Sequence, residues 1–131
     1  MNEQGNVERV AKIYAAFGRG EIGYIIDQLT DDVRWVTHLE PEVPWHGEYP
    51  GKGAVRKFFE AIAQSVDVKA FEPGEFVAQG DTVVSTGHFG CRVRATGKDA
   101  STRWVFLWKF RDGQVSSYEQ FHDPALAAAF R

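Results

Sequence analysis

Between residues 67 and 122 the chain runs through stretches of alternating apolar and polar residues, broken only by short turn signals. These are Pro73-Gly74, Gly80-Asp81, Thr96-Gly97-Lys98-Asp99 and Asp112-Gly113. A period of two sends neighbouring side chains to opposite faces of a strand, and connections this short join antiparallel neighbours. The pattern predicts strands over about 67–72, 75–79, 82–95, 100–110 and 115–122. Strands of this length twist and coil, so the sheet they form is curved.

The residues before this region carry helical spacing. Val7, Val10, Ile13, Tyr14 and Phe17 share one face, Asn6 is placed to cap the helix, and Gly18 and Gly20 end it. Ile22, Ile25, Ile26 and Leu29 mark a second, short helix. Thr30-Asp31-Asp32 then reads as a turn into a strand at 33–39. EPEVPWHGEYPGKG (40–53) holds three prolines and three glycines and reads as a loop, with His46 a surface residue in it. A third helix is expected from near Ala54, with Val55, Phe58, Phe59, Ile62 and Val66 on its apolar face, and PALAAAF closes the chain as a short helix. Helices first and strands afterwards predict an α+β fold, with three N-terminal helices packed in the concave face of a curved, mainly antiparallel sheet. No repeat or linker divides the 131 residues, so a single domain spanning 1–131 is expected.

The segment WVFLWKF places Trp104, Phe106, Trp108 and Phe110 on alternate positions, and these rings are assigned to the concave side. Val105 and Leu107 then face outward, where an apolar patch favours a homodimer packed sheet to sheet. Aromatic residues make up 14% of the chain, including four tryptophans. Buried indoles need hydrogen-bond partners, and a small core packs several of them with difficulty. The set Trp35, Trp45, Phe59, Trp104, Phe106, Trp108 and Phe121 therefore reads as the wall of a pocket for a small apolar ligand, with solid core as the alternative.

Other classes are excluded on composition and spacing. With 15 basic and 18 acidic residues and no basic run, the chain lacks a phosphate-tracking surface, so no nucleic-acid partner is expected. Cys91 stands alone, which rules out an internal disulfide framework. No signal pattern and no run of roughly 18 apolar residues is present, which predicts no membrane partner and a cytoplasmic location. His38, His46, His88 and His122 show no metal-ligand spacing, so neither a metal nor a cofactor is expected. No G-x-S-x-G elbow appears.

Asp123 is the leading catalytic candidate. It shares strand parity with Glu119 and Phe121, and a carboxyl against aromatic walls titrates nearer neutrality. Asp123-Pro124 equally fits the start of a helix. Arg92 and Arg94 lie on one strand face with His88; turned inward, an arginine near Asp123 polarises a substrate oxygen, and turned outward both are solvated.

Six stretches carry a resemblance across nearly the whole chain: KIYAAFGRGEI (12–22), LTDDVRW (29–35), PWHGEYPGKGAVRKFF (44–59), FEPGEFVAQGDTVVSTG (71–87), RVRATGK (92–98) and WKFRDGQV (108–115). Together they resemble the nuclear transport factor 2-like superfamily, in its SnoaL-like, ketosteroid isomerase-related branch. The resemblance implies a cone-shaped α+β fold of the cystatin-like type, a dimer packed through its sheets and a deep apolar pocket. At the positions matching the isomerase's base and oxyanion hole stand Thr37, Ile13 and Phe106, so steroid isomerisation by that mechanism is not expected. Against limonene epoxide hydrolase, Arg92 and Asp123 match, and the second catalytic Asp falls on Arg94.

Two functions follow. The first is an isomerase, cyclase or hydrolase acting on a small apolar cyclic or polyketide-like compound by general acid–base chemistry. Asp123 would move the proton, Arg92 would stabilise negative charge, and Trp35, Thr37, Trp45, Phe59, His88, Trp104, Phe106, Trp108, Glu119 and Phe121 would form the pocket. The second is a non-catalytic binding protein for such a ligand.

Overall fold

The computed structural model describes residues 2–131. The first helix, α1, spans Glu3–Gly18. Asn2 caps it, not Asn6: the Asn2 side chain accepts from the Gly5 amide at 2.5 Å. Asn6 lies one turn further in and is wholly buried on the inner face with Val10, Ile13 and Tyr14. Both asparagines suit a cap chemically, and the earlier one gives the apolar stripe another turn of support.

Helix α2 covers Ile22–Asp27, and strand β1 runs Leu29–His38. The expected turn at Thr30-Asp31-Asp32 is therefore part of β1, where the pairing register slips between Leu29 and Arg34. The Pro/Gly stretch is not all loop, because Gly47–Pro50 forms a short strand, β2, antiparallel to β1. Helix α3 spans Gly51–Ser65, starting three residues before Ala54, and Val66 opens the next strand instead of continuing the helical face. Gly51 enters α3 with a φ of 83°, a left-handed conformation that glycine adopts without a Cβ penalty.

Strand β3 (Val66–Gln79) passes through Pro73-Gly74 without ending. A bulge between Pro73 and Phe76 absorbs the residues that read as a turn. Strands β4 (Thr82–Val93), β5 (Asp99–Arg111) and β6 (Gln114–His122) follow, then helix α4 (Ala125–Ala128). The six strands form one sheet in the order β2-β1-β6-β5-β4-β3. Only the β1–β6 pair is parallel, so the sheet is mixed and mainly antiparallel.

Alternation sorts the two faces. Trp104, Phe106, Trp108 and Phe110 of β5 are buried, while Val105 is 40% exposed. The neighbouring strands contribute Val83, Phe89 and Cys91 from β4 and Trp35 from β1. Helices α1 and α3 lie against this inner surface through Ile13, Tyr14, Phe58 and Phe59. Among the described residues, no helix is long and apolar enough to cross a membrane.

Candidate functional site

Tyr14 is the hub of the interior. Its ring lies within 6.1 Å of the rings of Phe71, Phe76, Trp104, Phe106 and Trp108. Its hydroxyl accepts from Trp108 Nε1 at 2.8 Å and shares a hydrogen bond of 2.5 Å with Ser85 Oγ. Burial holds this phenol well above its ordinary range, against the smaller pull of Ser85 and Trp108. It is a neutral structural group at any working pH.

A cavity opens beside this hub. Its floor and walls come from Tyr14 and Phe17 of α1, Phe58, Phe59 and Ile62 of α3, and Trp35, Phe71, Phe106, Trp108 and Tyr118 of the sheet. The open space measures about 60 Å³. Trp45 reaches in from the stretch between β1 and β2, its ring edge-on to Phe130 at 5.7 Å and to Phe89 at 6.5 Å. The Thr37 hydroxyl holds that segment by donating to the Trp45 carbonyl at 2.7 Å. Trp35, Trp45, Phe59, Phe106 and Trp108 of this wall belong to the aromatic set named from the sequence.

The polar groups of the wall went unrecognised in the sequence. On the inner face of β6, Tyr118 Oη donates to Gln120 Oε1 at 2.6 Å, and Gln120 Nε2 stands 3.1 Å from His122 Nε2. Burial drives the His122 imidazole down to about 4, outweighing the opposing charge of Asp123. His122 is therefore neutral at physiological pH. Its Nδ1 is buried without a partner, as is Trp35 Nε1. Tyr118 is also held well above its ordinary value by burial.

The remaining expected site residues lie elsewhere. Thr37 and Trp104 are buried beside the cavity without lining it. Trp104 is stacked on Phe106 at 3.9 Å, with Phe71 beside it at 5.2 Å. Glu119 and Phe121 point to the outer face. There Glu119 accepts from or pairs with His38 at 2.8 Å, and the His38 and Phe121 rings stack at 4.6 Å. Arg92 and Arg94 are both about half-exposed and bound to Asp99 and Asp67 at 2.9 Å. His88 lies in an outer groove with Glu72, Arg103 and Asp123, its Nε2 3.2 Å from Ser101 Oγ.

Asp123 does not line the cavity, and its titration runs opposite to the expectation. Partial burial pushes it up, but hydrogen bonds from the Arg103 amide, Thr102 Oγ1 and the Ala125 amide outweigh that, and the carboxyl falls below its ordinary value. These donors, at 2.8–3.0 Å, tie the first part of β5 to the start of α4. Replacing Asp123 with Ala should cost about 1–2 kcal/mol, as loss of a helix cap does, and leave ligand affinity unchanged. Thermal melts alongside a binding titration check this; an unchanged melting temperature with lost binding would return Asp123 to the site.

A protein-family model described as a SnoaL-like domain matches residues 10–118. No curated protein matches the chain. Among solved structures, an NTF2-like protein from Burkholderia xenovorans superposes with a TM-score of 0.89 at 32% identity, covering 100% of this chain and 99% of that one. An NTF2-like protein from Burkholderia thailandensis gives a TM-score of 0.88 at 24% identity, with 100% and 99% covered. TerC, co-crystallised with polyporic acid, gives 0.82 at 26% identity, with 96% and 98% covered.

Proposed function

Because the chain belongs to the SnoaL-like family within the NTF2-like superfamily, we propose that it is a small-molecule-binding protein whose interior cavity takes a compact, ring-containing ligand. The observation that carries this reading is the cavity itself. It is walled by Trp35, Phe59, Phe106, Trp108 and Tyr118, and it stays open although the surrounding core is tightly interlocked. The lining is mostly aromatic and aliphatic, which favours an apolar ring over water. At about 60 Å³ the space is smaller than the roughly 150 Å³ that holds benzene, so the wall must yield for a ring to enter. The co-crystallisation of TerC with polyporic acid supports a small-molecule role for this fold.

Binding is favoured over turnover by Asp123 and Arg92, because acid–base catalysis needs its groups within hydrogen-bond reach of the substrate. Among the described residues lining the cavity, His122 is the only side chain other than tyrosine that exchanges a proton. Any isomerase, cyclase or hydrolase chemistry here would pass through His122.

Native mass spectrometry of protein purified without added ligand tests the reading, with Phe59→Trp as the cavity-filling control. The wild type should retain a small molecule that the variant loses, with the variant still folded by circular dichroism. A wild type that is empty, and that binds no aromatic compound in a screen, would sink the proposal.

A further inference from the structure

Unpaired polar atoms in the cavity wall carry information about what the ligand must offer. A tyrosine hydroxyl, a glutamine amide and an imidazole follow one another on the inner face of β6 at Tyr118, Gln120 and His122. Tyr118 is fully buried, and its only acceptor is Gln120 Oε1. That fixes the amide, since the reverse orientation would leave the Tyr118 proton without an acceptor in the interior. Gln120 Nε2 must then donate to His122 Nε2. A neutral imidazole that accepts at Nε2 carries its proton at Nδ1. So the free atom of His122 is a donor, and it is buried without an acceptor. Trp35 Nε1, in the same wall, is a second unpaired donor. Both vacancies ask for an oxygen that accepts.

The lining residues also limit the charge of that oxygen. Among the described residues, no Asp, Glu, Lys or Arg lines the cavity. Burial keeps His122 from gaining a proton above about pH 4. A carboxylate would sit there as an unpaired buried charge, which is far more costly than a neutral polar group that finds its hydrogen bond.

We propose that the cavity selects uncharged ring compounds bearing a carbonyl oxygen, which accepts a hydrogen bond from His122 Nδ1. This rests on the cavity being a binding site, and the test separates the two claims. Ethylbenzene, acetophenone and benzoate have similar bulk and differ in the oxygen they carry. Each is titrated into the protein and followed by the fluorescence of the wall tryptophans, with the ¹⁵N shift of His122 Nδ1 read in parallel.

Acetophenone should bind about fivefold more tightly than ethylbenzene, in line with one net hydrogen bond, and benzoate should not bind at matched concentrations. The Nδ1 resonance should move with acetophenone and stay in place with ethylbenzene. In His122→Phe the acetophenone advantage should vanish while ethylbenzene still binds. Equal affinity of ethylbenzene and acetophenone, with a static Nδ1 signal, overturns the donor and leaves the binding reading intact. Tighter binding of benzoate than acetophenone overturns the neutrality claim. Failure of all three to bind overturns the binding reading beneath it. The shift measurement uses the wild type, so misfolding of the variant does not remove the test.

Discussion

Gly87→Ala should destabilise the protein by about 3 kcal/mol, the upper part of the range for overpacking, and lower its melting temperature by roughly 10 °C. Gly87 of β4 stands opposite Trp104 of β5, and the indole lies directly over it. A Cβ at Gly87 would stand 2.5 Å from Cε2 and Cη2 of that ring and closer still to Cζ2. Real carbon contacts do not reach that distance, so the ring must move. It has nowhere to go, because Trp104 is 2% exposed and stacked against Phe106 and Phe71. The displacement would pass through Phe106 into the cavity wall, so ring binding should weaken together with stability. Denaturant melts of a double-mutant cycle isolate the cause. In a Trp104→Leu background, which removes the overlying ring, the same Gly87→Ala change should cost less than about 1 kcal/mol. An equal penalty in both backgrounds would place the strain in the β4 backbone and reject this account.

The same pair of residues marks how far the sequence could be read. Period-two alternation identified Trp104, Phe106 and Trp108 as one inner face, and the structure agrees because β5 runs without interruption through those positions. It misplaced the far end of β6 for a definable reason. Counting by twos from the buried Val115 puts Glu119, Phe121 and Asp123 inside. The pairing, however, steps from Lys109↔Ser117 to Phe110↔Val115, leaving Ser116 as an extra residue. That bulge exchanges the faces, so Tyr118, Gln120 and His122 turn inward and Phe121 is 41% exposed. A bulge between two serines has no strong signature of its own. The one hint was composition, since the inner set carries a histidine and a glutamine that nothing in the aromatic pattern would select. Pro73-Gly74 misled in the opposite sense: a bulge let β3 continue where turn residues predicted its end. Long-range hydrogen bonds were out of reach altogether, because Tyr14 of α1 and Ser85 of β4 are joined across 71 positions only by the packing of the helix on the folded sheet.

His122 should make the protein lose stability as the pH falls from about 6.5 to about 4, by roughly 3 kcal/mol across that window. The imidazole's ordinary value is 6.5, and burial lowers it to about 4 in the folded chain. Between those values the unfolded chain holds the proton and the folded chain does not. Acid therefore favours unfolding there, and the contribution is complete above 6.5 and gone below about 4. The carboxylates held below their ordinary values, Asp32, Glu42, Asp99 and Asp123, act in the same direction but at lower pH, as acid carries each through its depressed folded value. Replacing His122 with Gln supplies a neutral amide of similar reach that takes up no proton, so the slope between pH 6.5 and 4 should flatten while the acid limb below it persists. Urea unfolding of both proteins at half-unit pH steps reads the difference directly. A ketone bound at Nδ1 should make the wild-type dependence shallower, because the imidazolium keeps its Nδ1 proton and donates it more strongly to the carbonyl, which eases protonation in the folded chain. Parallel curves for wild type and His122→Gln would mean that His122 takes up its proton in the folded chain as readily as in water.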